Sequence, residues 1–201
     1  MKYAIKATIK NIIVAFLIVI AFFGLIYVFL GRKIELNISL INKIAIDTSS
    51  KKVEAMSIDL NTNKIQNYPE YGTQYATIEI PKINVNQPVY FGSTLDVLKN
   101  GVGHDSASFF PGEGGSIIYM GHNSQNVFRR FSELSKGDEI IVKASYGEFK
   151  YKIYDMKLVD ETDLAALPIQ KDEEILMCYT CYPFNNIGYA TQRYVVYAKP
   201  V

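Results

Sequence analysis

Ile175-Leu-Met-Cys-Tyr-Thr-Cys181 is an apolar run carrying two thiols three residues apart. Whether it is extended or helical decides both the fold and what those thiols can do. Tyr182-Pro183 and Asn185-Asn186 follow it, so the run resolves into a loop, as a short buried strand does. In an extended strand, residues three apart lie about 10 Å from each other and face opposite ways. A disulfide needs Cα atoms within roughly 7 Å. The strand reading therefore separates the sulfurs, leaving Cys178 to pack as a small core hydrophobe and Cys181 to stand at a strand end, on the rim of a cleft. The alternative is a thiol-disulfide oxidoreductase using Cys178 and Cys181, although a redox Cys-x-x-Cys usually opens a helix.

Further short β-like runs precede this one: Tyr75–Ile80, Gly115–Met120, Asp138–Lys143 and Phe149–Tyr154, with Arg193–Ala198 after it. Six or more such runs, broken by Gly, Pro and Asn, predict a mostly β barrel or sandwich over residues 73–201. Within Asn126–Leu134, the spacing of Phe128, Phe131 and Leu134 predicts a short amphipathic helix on the sheet. Residues 34–72, rich in Lys, Asn, Ile, Ser and Asp, read as an extracellular spacer with at most one short helix.

From Ile12 to Leu30 there are 19 residues without a charge, about 28 Å as a helix, close to the hydrocarbon thickness of a bilayer. Residues 1–33 are expected to form a cytoplasmic N-terminus and a transmembrane signal anchor. The run exceeds the apolar core of a cleaved signal peptide, and no Ala-x-Ala-like site follows it. Lys2, Lys6 and Lys10 precede the span, favouring a single pass with the N-terminus in the cytoplasm and the remainder outside. Beyond residue 33 the balance is 16 basic against 20 acidic residues, which argues against nucleic acid as a partner. Two cysteines in the whole chain make no disulfide framework.

A thiol at a strand end becomes a nucleophile when an imidazole and a cation stand near it. Only His104 and His122 can supply the ring. His122 follows the Ile117–Gly121 run, so it leaves a strand, and Asn123 beside it is a candidate to orient it. His104 is followed by Asp105, which offers a Cys-His-Asp arrangement instead. Arg193 is the candidate cation, because a strand running back beside the Cys181 strand brings both side chains to one end of the sheet. A zinc site would need both cysteines on one side, which the strand forbids. Glu79 and Asp138 fit a solvated face better than a calcium loop. No metal or cofactor is expected.

These residues resemble the sortases, from about Tyr75 to Val201. The family's Thr-Leu-x-Thr-Cys motif is matched by Met177-Cys-Tyr-Thr-Cys181, which keeps Thr180 and Cys181 and replaces the first two positions. Gly121-His122-Asn123 is similar to the family's histidine motif, and Arg193 falls where its arginine is expected. Ile80–Ile83, Gln87–Tyr90 and Leu134–Asp138 are similar as well, and the Thr180-Cys-Tyr-Pro-Phe184 ending is most like class D. The resemblance implies a closed eight-stranded β-barrel with short helices, preceded by the transmembrane helix. It implies a cysteine transpeptidase that cleaves a Leu-Pro-x-Thr-Gly-like sorting signal between Thr and Gly and passes the acyl group to a lipid-linked peptidoglycan precursor amine. The roles it implies are nucleophile for Cys181, proton carrier for His122 and oxyanion cation for Arg193. Substrate contacts are expected from Thr180 and from Leu164, Ala165, Ala166 and Leu167, in the connection that precedes the cysteine strand. A non-catalytic surface adhesin is the third reading.

Overall fold

A computed structural model describes residues 14, 16–24, 55–184 and 188–201. The chain divides into two units, 1–49 and 50–201. Of the first, Val14 and residues 16–24 are helical, and the rest of the expected anchor lies outside the described residues. Among the described residues no helix is long and apolar enough to cross a membrane.

The second unit begins with a hairpin, β1 (Ser57–Asp59) and β2 (Lys64–Gln66). This replaces, over those residues, the expected spacer. The turn is made by Asp59, whose carbonyl accepts the Asn63 N–H at 2.8 Å and whose carboxylate accepts that of Asn61. Asn63 adopts the left-handed conformation at φ 50°, which Asn tolerates better than most residues. Met56 and Ile65 then enter the main hydrophobic core, so the hairpin belongs to the folded unit.

Eight strands follow: β3 (Gln74–Ile80), β4 (Val85–Phe91), β5 (Val102–His104), β6 (Ser116–Met120), β7 (Glu139–Ala144), β8 (Gly147–Asp160), β9 (Ile175–Tyr182) and β10 (Gln192–Pro200). They close into a barrel in the order β10-β8-β7-β3-β4-β5-β6-β9, and closure leaves no edge strand to aggregate. Period-two alternation sends Ile78, Val142, Val89, Val102, Tyr119, Cys178 and Val196 to the interior, where all are fully buried. Arg129–Glu133 forms a 3₁₀ helix. Phe128 and Leu134 flank it and Phe131 lies within it, and all three are buried.

The outer face of β6, β9 and β10 carries a second apolar cluster of Ile118, Ile175, Met177, Val195 and Tyr197. It is strapped by the connection from β8 to β9, which must cross β10 to rejoin the sheet. Leu167 packs on the cluster, Tyr197 donates its hydroxyl to the Ala166 carbonyl at 2.8 Å, and Ser116 exchanges hydrogen bonds with Gln170.

Candidate functional site

Strand parity settles the two thiols. Cys178 pairs with Val196 and faces the interior; Cys181 pairs with Arg193 and lies on the outer face, partly exposed. Both are free. Burial pushes the Cys178 thiol well above its ordinary range, because a thiolate there would lose its hydration.

β6 and β9 run parallel in register, Tyr119 against Cys178 and Met120 against Tyr179. Parallel neighbours finish at the same end of a sheet, so β6 delivers the loop of His122 to the end where β9 delivers Cys181. The Gly121 N–H, bonded to the Tyr179 carbonyl at 3.1 Å, extends the ladder by one residue. A Cβ on Gly121 would stand 2.6 Å from the Phe128 ring, so only glycine lets the loop lie this close over the buried Phe128. The His122 ring is exposed. Asn123 does not orient it as expected. Its Nδ2 donates instead to the Pro183 carbonyl at 2.9 Å, tying the histidine loop to the loop after Cys181.

His104 stands apart from this end, fully buried on the inner face of β5. Its Nε2 reaches the Phe109 carbonyl at 3.1 Å and the Ser108 hydroxyl at 2.9 Å. A carbonyl only accepts, so Nε2 carries the proton and Nδ1 accepts from the Tyr75 hydroxyl at 2.9 Å, which in turn accepts from Tyr119. Desolvation lowers the His104 pKa to about 3. Asp105 bonds the Ala107 N–H, and the ring serves as a neutral tie between interior tyrosines.

Arg193 is the residue directly across from Cys181 on the neighbouring strand. Its Nη1 donates to the carbonyls of Ala190 (2.6 Å) and Gln192 (3.0 Å), and its Nη2 to Glu161 Oε2 at 2.8 Å. Nothing in the sequence beyond an acidic residue after a strand marked Glu161. Thr180 points inward, buried, its hydroxyl without a partner among the described residues. Leu164 and Ala165 are exposed, while Ala166 and Leu167 are half-buried. Ala165 and Ala166 also line a cleft of about 350 Å³ with Asp163, Pro168, Lys157 and Tyr197. Glu79 is paired with Lys143 at 2.8 Å.

A thiol with a cation opposite and an imidazole at the same barrel end is a set of groups that can carry acyl transfer. Comparison with known proteins agrees. Residues 78–201 match the family model described as a sortase domain. The chain is 43% identical over 145 residues to Sortase D of Bacillus subtilis (strain 168), covering 72% of this chain and 73% of that protein. A sortase D5 transpeptidase of Clostridium perfringens superposes with a TM-score of 0.60 at 34% identity, over 66% of this chain and 81% of that one. A Clostridium perfringens sortase C solved with the C-terminal cell wall sorting motif gives 0.59 at 27% identity, over 69% and 77%.

Proposed function

The chain belongs to the sortase family, and from that premise we propose that Cys181, His122 and Arg193 carry its reaction. The protein is a cysteine transpeptidase of the kind that anchors proteins to the cell wall. The oxidoreductase alternative has no support: the two thiols are free and face opposite sides of β9.

In the reaction we propose, the substrate is a protein ending in a Leu-Pro-x-Thr-Gly-like signal. Cys181 Sγ attacks the Thr carbonyl carbon as His122 takes the thiol proton, the C–N bond to Gly breaks, and His122 gives that proton to the departing amine, leaving a thioester. An incoming amine, that of a lipid-linked cell-wall precursor, then attacks the same carbon. His122 takes its proton and returns it to sulfur as the C–S bond breaks, restoring the thiol. Arg193 and backbone N–H groups stabilise the oxyanion of both tetrahedral intermediates. The connection bearing Leu164, Ala165, Ala166 and Leu167 walls the groove that takes the Leu-Pro end. Residues 12–30 anchor the enzyme in the membrane with the barrel outside, which raises the effective concentration of membrane-bound substrate and acceptor.

The observation that carries this reading is the pairing of Cys181 with Arg193 across β9 and β10, at the end of β9 beside which parallel β6 finishes. Its test is mass spectrometry of the thioester and of the released Gly fragment, using a peptide library varied at x. Cys181→Ala, His122→Ala and Arg193→Ala are expected to lose turnover by about a hundredfold or more, while Cys178→Ala keeps most of it. Normal cleavage by Cys181→Ala would end the proposal.

A further inference from the structure

The bonds around Arg193 point to one residue the family motif does not contain. Glu161 is the first residue after β8, at the mouth of the connection that straps the outer face. Its backbone N–H is held by the Thr191 carbonyl at 2.8 Å, which fixes its Cα beside the start of β10. Its carboxylate accepts from Arg193 Nη2 at 2.8 Å and from the Tyr189 hydroxyl. Both charged side chains are mostly covered, at 23% and 19% exposure for Arg193 and Glu161, so the pair is screened less than an ordinary surface ion pair.

We propose that Glu161 is the positioning residue of this transpeptidase: it holds the Arg193 guanidinium at the orientation in which that group meets the oxyanion formed at Cys181. The inference deepens the function proposed above and rests on its assignment of Arg193.

An arginine side chain has four rotatable bonds before its planar head, and β10 alone fixes only where the chain starts. The bonds to Ala190, Gln192 and Glu161 engage three of the five N–H groups and so fix both position and plane, while the remaining two can donate to a reacting oxygen. Of the three acceptors, two are backbone carbonyls on either side of Thr191, and Glu161 is the only one that reaches Arg193 from a different connection. It therefore links the strap over the substrate face to the arginine. It does so by charge as well as by geometry, because a carboxylate makes the stronger hydrogen bond.

The test is steady-state transpeptidation on the full chain with a sorting-signal peptide and an amine acceptor, for wild type, Glu161→Gln, Glu161→Asp, Arg193→Ala and the Glu161→Gln/Arg193→Ala double variant. Thermal melting of each confirms folding. Glu161→Gln is expected to lower kcat roughly 10- to 100-fold with KM little changed, since the oxyanion exists only after attack. Glu161→Asp, which keeps the charge on a shorter stem, should recover part of the loss. In the double variant Glu161→Gln should cost nothing beyond Arg193→Ala, because its effect runs through the missing guanidinium. Two results overturn the inference while leaving the proposed function standing: an unchanged kcat in Glu161→Gln, or the same fold loss with and without Arg193. An Arg193→Ala variant as fast as wild type would remove the role of Arg193 itself, and that of Glu161 with it.

Discussion

Cys178 and Cys181, three residues apart on β9, face opposite sides of the barrel wall, one against Val196 inside and the other against Arg193 outside. Their chemistry divides accordingly. Cys178 is fully buried and its thiol is held protonated by desolvation, whereas Cys181 is partly exposed.

Native alkylation should therefore mark Cys181 alone. With iodoacetamide at pH 8, intact mass is expected to show a single adduct, mapped by peptide sequencing to Cys181, and a second only after denaturation. Reduction should leave the intact mass of the unlabelled protein unchanged. A two-dalton shift on reduction, or labelling of both thiols at equal rates in the native state, would contradict the geometry of β9.

His104 makes acid stability predictable. Its folded pKa of about 3 lies below the ordinary 6.5, so between those values the unfolded chain binds a proton that the folded one refuses. The stabilisation is present above pH 6.5 and is lost as the pH falls towards 3. From pH 7 to pH 5 the loss is about 2 kcal/mol from this group alone. Urea unfolding at half-unit pH steps should show that slope in wild type and a flatter one in His104→Gln. Equal slopes would mean that the ring is solvated or charged in the native protein.

How much of this was written in the sequence follows from which forces are local. The Ile175–Cys181 strand, its parity and the burial of Cys178 came from period two alone, since adjacent residues must alternate faces. The Arg193 neighbourhood followed from antiparallel pairing of the last two strands. β4 and β5 were not legible: Pro88, Asn86 and Gln87 mask the first, and the second is three residues long, with Gly101 before it and Gly103 within it. They are strands because closure of the barrel pairs them, a tertiary effect with no local signal. The hairpin at 57–66 was hidden likewise, its one buried apolar residue, Ile65, set among Lys, Asn and Gln. His122 and His104 both follow glycines at strand ends, so their local surroundings alone leave the choice open and the family resemblance makes it; the difference in burial, His104 inside and His122 exposed, has no local signal. Glu161 was invisible because its partner lies 32 residues away in the chain.

That hairpin is fastened by a single buried carboxylate, and removing it should show what the fastening contributes. Glu113, 6% exposed, accepts the Ile65 N–H at 2.9 Å and the Tyr68 hydroxyl at 3.0 Å on Oε1, and the Phe110 N–H at 2.9 Å on Oε2. Glu113→Ala leaves the Ile65 and Phe110 N–H groups buried without a partner, at about 1–3 kcal/mol each. The expected loss in urea-unfolding free energy is about 2–5 kcal/mol, smaller for Glu113→Gln, which keeps one accepting oxygen. Glu113 precedes β6, whose first residue pairs with Ile175 at the end of β9 opposite Cys181, so kcat at temperatures where the variant is folded should stay near wild type. Faster hydrogen exchange is expected at Ile65 before the barrel strands respond. Unchanged stability together with unchanged exchange at Ile65 would show that the hairpin is held by Met56 and Ile65 packing alone.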